Sequence, residues 1–203
     1  MDISVREAVA EDAQQICDVH LSSIEELGKQ SYTQEQVAAW AHGRDPEEYP
    51  IESEDTYFVV AEDVTDVVGF GWMKPEAGEY LQTEVEGEIT AIYIHPSAAR
   101  NGVGSRIYGE LERKALQQDI ESIGVWASRN AVLFYEAQGY EQVGEHSYEF
   151  DLLLRVNAEE SHHGISGRAK RPVDFKTHTF QASSAGFQHR LGCLVARSKR
   201  PHP

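Results

Sequence analysis

The sequence predicts an α/β domain, and three observations predict it. Between residues 88 and 113, a run of β-branched and aromatic residues (Ile89, Ile92, Tyr93, Ile94) stops at Pro96. Past Gly102 and Gly104 it gives way to apolar residues at Val103, Ile107, Leu111 and Ala115. That is a strand feeding a helix through a glycine loop. Residues 56–62 and 67–73 are two more β-type runs, joined at Asp63-Val64-Thr65-Asp66 as a hairpin. Ala13, Ile16, Cys17, His20, Ile24 and Leu27 recur at intervals of three and four, one face of an amphipathic helix. With 203 residues the chain can bury one real core.

Taken in order, Ile3-Ser4-Val5-Arg6 alternates and opens the chain as a strand. A helix over 11–27 follows, with Glu11 and Asp12 in its first turn and Gly28 as its stop. His20 lies on the apolar face of that helix, as a packed or groove-lining residue. A second helix starts after Thr33, whose hydroxyl and Gln36 have the spacing of a capping box, and Val37 and Trp40 share its inner face. Residues 43–55, with Pro46 and Pro50, form a loop. In the hairpin that follows, Gly69 and Gly71 weaken the second strand and mark a bulge or a close approach. An acidic loop spans 76–86. Past the helix at 102–118 come a strand at 122–127, a helix at 130–138 closed by Gly139, and a last strand pair, 140–143 with 148–154 around Gly144.

Composition bounds the function. Residues 1–154 hold 31 acidic and 9 basic side chains, a net −22, whereas 155–203 hold 3 and 9, a net +6. So acidic a body repels nucleic acid and anionic membrane, which excludes both as partners. It is the composition expected of a protein that works in concentrated salt, where screening removes self-repulsion. Five of the nine basic residues of the body nevertheless lie between Arg100 and Arg129, which suits a phosphate-bearing ligand; Arg113 and Lys114 read as decoration of a solvated helix face. No apolar run approaches the roughly 18 residues of a membrane helix, and the first residues do not form a signal peptide. Cys17 and Cys193 stand far apart, against a disulfide or zinc framework and in keeping with a reducing cytoplasm.

Beyond Leu154 neither period persists. Residues 155–203 hold five of the nine histidines, and are expected to be a basic, disordered extension with the look of read-through in a shifted frame or of a cloning-derived tail. The competing reading is a basic arm for nucleic acid or a partner, which rests on charge alone. His162-His163 has no third ligand at metal spacing, so no metal is expected.

The glycine loop carries the chemistry. The first turn of a helix presents unpaired N–H groups and partial positive charge, and glycines let a phosphate approach them. Arg100-Asn101-Gly102-Val103-Gly104-Ser105 therefore reads as a diphosphate cradle. The third glycine of a dinucleotide fingerprint is missing, as Ser105, Arg106 and Ile107 follow Gly104, and so is the Gly-Lys-Ser/Thr of a Walker A loop. Taken alone, the loop also fits a plain tight turn between strand and helix.

A second stretch, S-R-N-A-V-L-F-Y-E-A-Q-G-Y over 128–140, accompanies it. Together the two resemble the GNAT family of acetyl-CoA-dependent N-acetyltransferases, in order, spacing and residue type, across about residues 1–154. One position departs: the family's Gln/Arg three places before the first glycine is Ala99 here, with Arg100 one place later. The resemblance implies a mixed, mostly antiparallel sheet flanked by helices, with the strands at 88 and 122 splayed around a pantetheine arm. It implies acetyl-CoA as cosubstrate and direct attack by a primary amine of a small molecule or protein, without an acyl-enzyme; Cys17 has no histidine-bearing motif beside it. The amides from Asn101 to Ser105 would hold the pyrophosphate, with Arg100 beside them. The backbone of Ile92, Tyr93 and Ile94 would pair with the pantetheine, and Asn130 would bond the cofactor. Tyr135 matches the tyrosine that protonates the departing thiolate, and Glu88 the glutamate that some members use as base, often through water; His95 is a weaker base candidate. Tyr32 and Trp40, in the segment that walls the acceptor site, contact acceptor or pack as core. A monomer or homodimer is expected, and the alternative function is an inactive acyl-CoA-binding sensor.

The charge of the body generates a first prediction. Tm is expected to rise with KCl well past the point where simple screening saturates, the Debye length being only ~3 Å at 1 M. A Tm that stays flat from low to molar salt removes the halophilic reading.

Overall fold

The computed structural model describes residues 2–64, 66–79, 81, 84–150 and 187–197. In chain order the elements are β1 (Ile3–Glu7), α1 (Ala13–Ser22), α2 (Gln34–Ala41), β2 (Tyr57–Asp63), β3 (Asp66–Lys74), β4 (Gly87–Ile94), α3 (Val103–Gln117), β5 (Ser122–Ser128), α4 (Val132–Ala137), β6 (Glu141–Phe150) and β7 (Phe187–Arg197). The strands form one sheet in the order β1-β2-β3-β4-β5-β7-β6. Only β4 and β5 run parallel, and α3 is the crossover that such a pair requires. The expected mixed, mostly antiparallel sheet is therefore present.

Period-two alternation sorts the core onto two faces. Val59, Ala61, Met73 and Ile89 point at Val103, Ile107, Leu111 and Ala115 of α3. Phe58, Val60 and Phe70 point the other way, at Ile16 and Val19 of α1. The β1–α1 junction is pinned by Arg6, whose guanidinium donates to both Asp12 oxygens at 2.7 and 2.9 Å and also to Glu62. That arginine holds the Asp12 carboxyl below its ordinary range.

Gly69 and Gly71 are a close approach. A Cβ on Gly71 would lie 2.8 Å from the Ile107 side chain, and one on Gly69 3.0 Å from it, so α3 rests directly on β3. The bulge lies one step further on. Opposite Trp72 and Met73, β4 moves from Ala91 to Ile89 and leaves Thr90 as an extra residue. Ile89 and Ile92 consequently share the α3 face although they are three apart, and Tyr93 faces α1 and α2.

Two local expectations change. The first helix does not run straight to a glycine stop. It ends at Ser22, passes through a π turn over Ser23–Leu27, and tightens into a 3-10 turn over Gly28–Gln30. Gly28 keeps a right-handed φ of −60° and serves proximity instead, with a Cβ direction 3.5 Å from Val37 of α2. The capping box of α2 forms as expected: Thr33 Oγ1 accepts from the Gln36 amide, and Gln36 Oε1 accepts from the Thr33 amide at 2.9 Å.

The larger correction is at the C-terminal side. Among the described residues, 140–143 and 148–150 do not pair with each other. Residues 141–150 are one continuous strand, and its partner is Phe187–Arg197, within the stretch expected to be disordered. β7 lies between β5 and β6 and pairs with both. β5 otherwise has an open edge beside a buried core, and the backbone of 191–197 pairs with it from Ser128 to Ser122. Leu194 is completely buried in the α3 cluster. Residues 151–186 and 198–203, with His162-His163, lie outside the described residues. Among those described, no helix is long and apolar enough to cross a membrane.

β7 generates the second prediction. Leu194→Ala is expected to lower unfolding free energy by about 2–5 kcal/mol, the usual range for emptying a filled leucine site. A chain ended at residue 154 is expected to lose its cooperative urea transition. Unchanged midpoints in both would place 187–197 outside the core.

Candidate active site

Where β4 and β5 part, a cavity begins. They pair at Gly87↔Ile123, Glu88↔Gly124 and Ile89↔Val125, and no further pairing follows among the described residues. The bulge at Thr90 comes next and turns β4 away. From there to Ile94, one backbone edge of β4 has no strand beside it. The gap opens into a cavity of about 170 Å³, with Ile92, Tyr93 and Ile94 on one wall and Ser128, Asn130, Ala131, Phe134 and Tyr135 on the other.

The N-terminus of α3 closes one end. Gly102 is its N-cap at φ +78°, a left-handed conformation suited to glycine, and no side chain caps the helix. Arg100 also has a positive φ, 64°, which turns the loop tightly. The first turn carries no acidic residue, notable in a body of net −22. Nothing lies within 4 Å of where a Cβ of Gly102 would stand, so the loop is open to solvent at that glycine. Gly104 lines the cavity itself, its Cβ direction 3.3 Å from Phe134. Arg100, Asn101 and Ser105 are exposed at the rim, and Val103 is buried under it. These features fit a diphosphate: unpaired donors, no competing carboxylate and room at the glycine.

Tyr135 comes from α4, is 4% exposed, and packs edge-on against Phe134 and Tyr140 while bordering the cavity. Burial pushes its phenol well above the ordinary tyrosine range, so it stays protonated. Asn130 is exposed in the turn between β5 and α4, on the same rim. Glu88 is placed differently. It is buried at 3% exposure within the paired base of the two strands, and its Oε2 accepts from the Gly78 amide at 3.2 Å. It does not border the cavity. His95, the weaker base candidate, folds back to bond Ser97 at 2.7 Å.

Similarity to known proteins points one way. The family model described as acetyltransferase (GNAT) domain matches residues 29–157, more than half of the chain. The chain belongs to the GNAT family. An uncharacterized N-acetyltransferase of Bacillus subtilis (strain 168), YuaI, is 26% identical over 149 residues, 72% of this chain and 85% of its own length. A GCN5-related N-acetyltransferase from Rhodopseudomonas palustris superposes with a TM-score of 0.68 at 20% identity, over 98% of this chain and 99% of the other. The PaiA N-acetyltransferase of Thermoplasma acidophilum, solved with coenzyme A, gives 0.57 at 19% identity, over 75% of this chain and 94% of the other.

The third side of this GNAT cavity is aromatic. Trp40 borders it, and Tyr93 stacks between Phe70 and His20. Tyr32 does not border it. Its ring packs edge-on against Trp40, and its hydroxyl accepts from the Arg129 amide at 2.8 Å, tying the α2 segment to the end of β5. Tyr32 is thus a strut behind Trp40. The remaining lining, Ser23, Ile24, Leu27 and Gly28, is the π turn and the glycine after it. Sequence reading took Ile24 and Leu27 for core and had no sign of the turn that re-aims them.

The basic stretch from Arg100 to Arg129 resolves unequally. Arg106 donates to the Ile3 carbonyl at 2.7 Å, Arg113 pairs with Glu110, and Lys114 sits over the Tyr57 ring. Arg100 and Arg129 remain exposed.

The cradle generates the third prediction. Acetyl-CoA is expected to raise Tm, since a ligand that binds only the folded state stabilises it by mass action. Gly102→Glu, which sets a carboxylate on the amides and strains a left-handed position, is expected to abolish the shift. Equal shifts in wild type and variant would move the cofactor elsewhere.

Proposed function

We propose that this GNAT domain transfers an acetyl group from acetyl-CoA to a primary amine of a small molecule or protein, by direct attack within a ternary complex. The observation that carries this reading is the open edge of β4 facing an uncapped, glycine-led helix N-terminus across one cavity. The coenzyme A complex of the Thermoplasma neighbour supports the same ligand class. The two distant cysteines suit a cytoplasmic setting.

Acetyl-CoA supplies a polarisable thioester carbonyl and a thiolate leaving group. In the proposed arrangement the amides from Asn101 to Ser105 hold the pyrophosphate, with Arg100 adding charge at the rim. The backbone of Ile92, Tyr93 and Ile94 accepts the pantetheine arm as a further strand, and one of its amides polarises the carbonyl. Asn130 hydrogen-bonds the cofactor from the opposite rim. Tyr135 donates a proton to sulfur. Its buried phenol stays protonated until the C–S bond breaks, and the burial that weakens the phenol as an acid also makes the departing thiolate a stronger base than its ordinary pKa of about 8.5. Glu88 serves as base for the ammonium of the incoming acceptor through water, because it lies below the cavity and not on its wall. Trp40 contacts the acceptor directly, with Tyr32 holding it in place.

The fourth prediction separates enzyme from sensor. Tyr135→Phe keeps the ring and its packing and is expected to lower turnover by roughly 10²–10⁴-fold, with acetyl-CoA affinity nearly unchanged. Glu88→Gln is expected to lose most below the pKa of the amine and to recover partly as pH rises, because alkali deprotonates the acceptor. Tyr135→Phe is not expected to recover, since alkali cannot replace a missing acid. The readout is free thiol released across an amine panel. Wild-type turnover in Tyr135→Phe removes the acid assignment. Tight acetyl-CoA binding with no turnover on any acceptor favours the sensor.

A further inference from the structure

The side of the cavity nearest α1 and α2 carries no charge. It is lined by Ser23, Ile24, Leu27, Gly28, Trp40 and Tyr93, and no described residue elsewhere on the lining is an acid, a lysine, an arginine or a histidine. In a domain with 31 acidic side chains among residues 1–154, the local fold has to produce such a surface. The π turn over Ser23–Leu27 does so. Ser23, Ile24 and Leu27 line the cavity, whereas Glu25 and Glu26, between them in the same turn, are exposed and take no part in the lining.

This wall is also rigid. Tyr93 is held between Phe70, stacked at 5.4 Å, and His20, at 4.0 Å between ring centres. Trp40 stands edge-on to Tyr93 at 6.3 Å and to Tyr32 at 5.5 Å, and Tyr32 is pinned by the Arg129 amide. Leu27 and Trp40 are only half-buried, so apolar surface stays open to the cavity. Such surface favours an apolar group that covers it. A charge brought against it would lose its hydration without gaining a partner.

We propose that the acceptor is a primary amine with an uncharged, apolar body, an alkylamine or arylalkylamine, whose body packs on Leu27, Trp40 and Tyr93. The proposal rests on the acetyltransferase reading and names its substrate class. With the cofactor along β4 and the start of α3, this side of the cavity is left to the acceptor. The net −22 of residues 1–154 draws the protonated amine in from solution. Inside, uncharged walls favour the neutral amine, the form that attacks the thioester. Its lone pair forms the C–N bond, and the C–S bond breaks with its electron pair going to sulfur. The proton lost from nitrogen balances the one that sulfur gains. The amide product carries no charge, so the field that drew the amine in does not retain it.

The test measures thiol release from acetyl-CoA with hexylamine, hexamethylenediamine and ε-aminocaproate, which differ only at the end far from the reacting amine. Phenethylamine is the aromatic member, and methylamine the member without a body. Wild type is expected to prefer hexylamine over both charged homologues by at least about 10-fold in kcat/KM, the scale of one charge left unpaired. Leu27→Glu sets a carboxylate in the wall and is expected to turn the preference toward the diamine. Leu27→Gln, polar but uncharged, is expected to leave it with hexylamine. Trp40→Ala is expected to cost hexylamine and phenethylamine at least about 10-fold more than methylamine. The Tm shift with acetyl-CoA certifies that each variant is folded; where Leu27→Glu loses that shift, Trp40→Ala decides the placement. Equal rates for the three homologues, a preference for a charged one, or release only with spermidine or a peptide N-terminus overturns the apolar acceptor and leaves acetyl transfer standing. So does a hexylamine preference that neither Leu27→Glu nor Trp40→Ala alters, since the body then binds elsewhere. No thiol release with any of these amines, while acetyl-CoA still raises Tm, overturns both.

Discussion

The separation of β4 from β5 after Ile89↔Val125 is the constraint on which the site depends. Its cause is local: Thr90 is one residue more than β3 can match, and a strand with an extra residue bends. Without that bend, parallel pairing would continue to Ile92 and Ser128, and backbone partners would fill the gap. With it, Ile92 and Ile94 keep their side chains on the α3 core while their backbone edge stays open. The same shift sends Tyr93 to the opposite face, where it joins His20 and Trp40. One inserted residue thereby sets both the open edge of β4 and the aromatic wall of the cavity. The hydroxyl of Thr90 is buried without a partner, a local cost at the point where the sheet changes direction.

An open edge serves only if the helix N-terminus is held beside it. The bare surfaces of Gly69 and Gly71 do this by letting Ile107 settle onto β3. Larger residues would lift α3 and carry Gly102 and its amides away from β4. Arg106 adds a second restraint, since its side chain reaches the Ile3 carbonyl in β1 and fixes the first turns along their length. On the far side, the bond from the Arg129 amide to Tyr32 ties the aromatic wall to the rim that bears Asn130. The cavity is thus bounded by elements braced to one another through contacts of long sequence separation.

Features written in short-range chemistry were legible in the sequence. The cradle could be read because a left-handed N-cap needs glycine, and the start of α2 because Thr33 and Gln36 form a closed local exchange. Gly69 and Gly71 were readable as a near approach because glycine inside a strand has few other uses. The rest depends on distant partners. Residues 187–197 look like a basic tail in isolation; what makes them a strand is the open edge of β5, about 60 residues earlier in the chain. Tyr32 and Trp40 are alike in sequence as two aromatics of one segment, and only the amide of Arg129 distinguishes strut from wall. Glu88 has the family register, but its depth follows from how far β4 and β5 stay paired. The π turn at Ser23–Leu27 leaves the three-and-four spacing of the helix unbroken, so no periodicity betrays it.

Charge completes the picture. In a body with so few cations, each one is assigned by where its counter-charge comes from. Arg6, Arg106, Arg113 and Lys114 are answered within the protein, by carboxylates, a carbonyl or a ring. Arg100, in the glycine loop, and Arg129, just past β5, are exposed to solvent. Arg44 makes no ion pair among the described residues and donates instead to the Trp40 carbonyl at the end of α2. An acidic surface makes this pattern sharper, because a spare carboxylate is never far away.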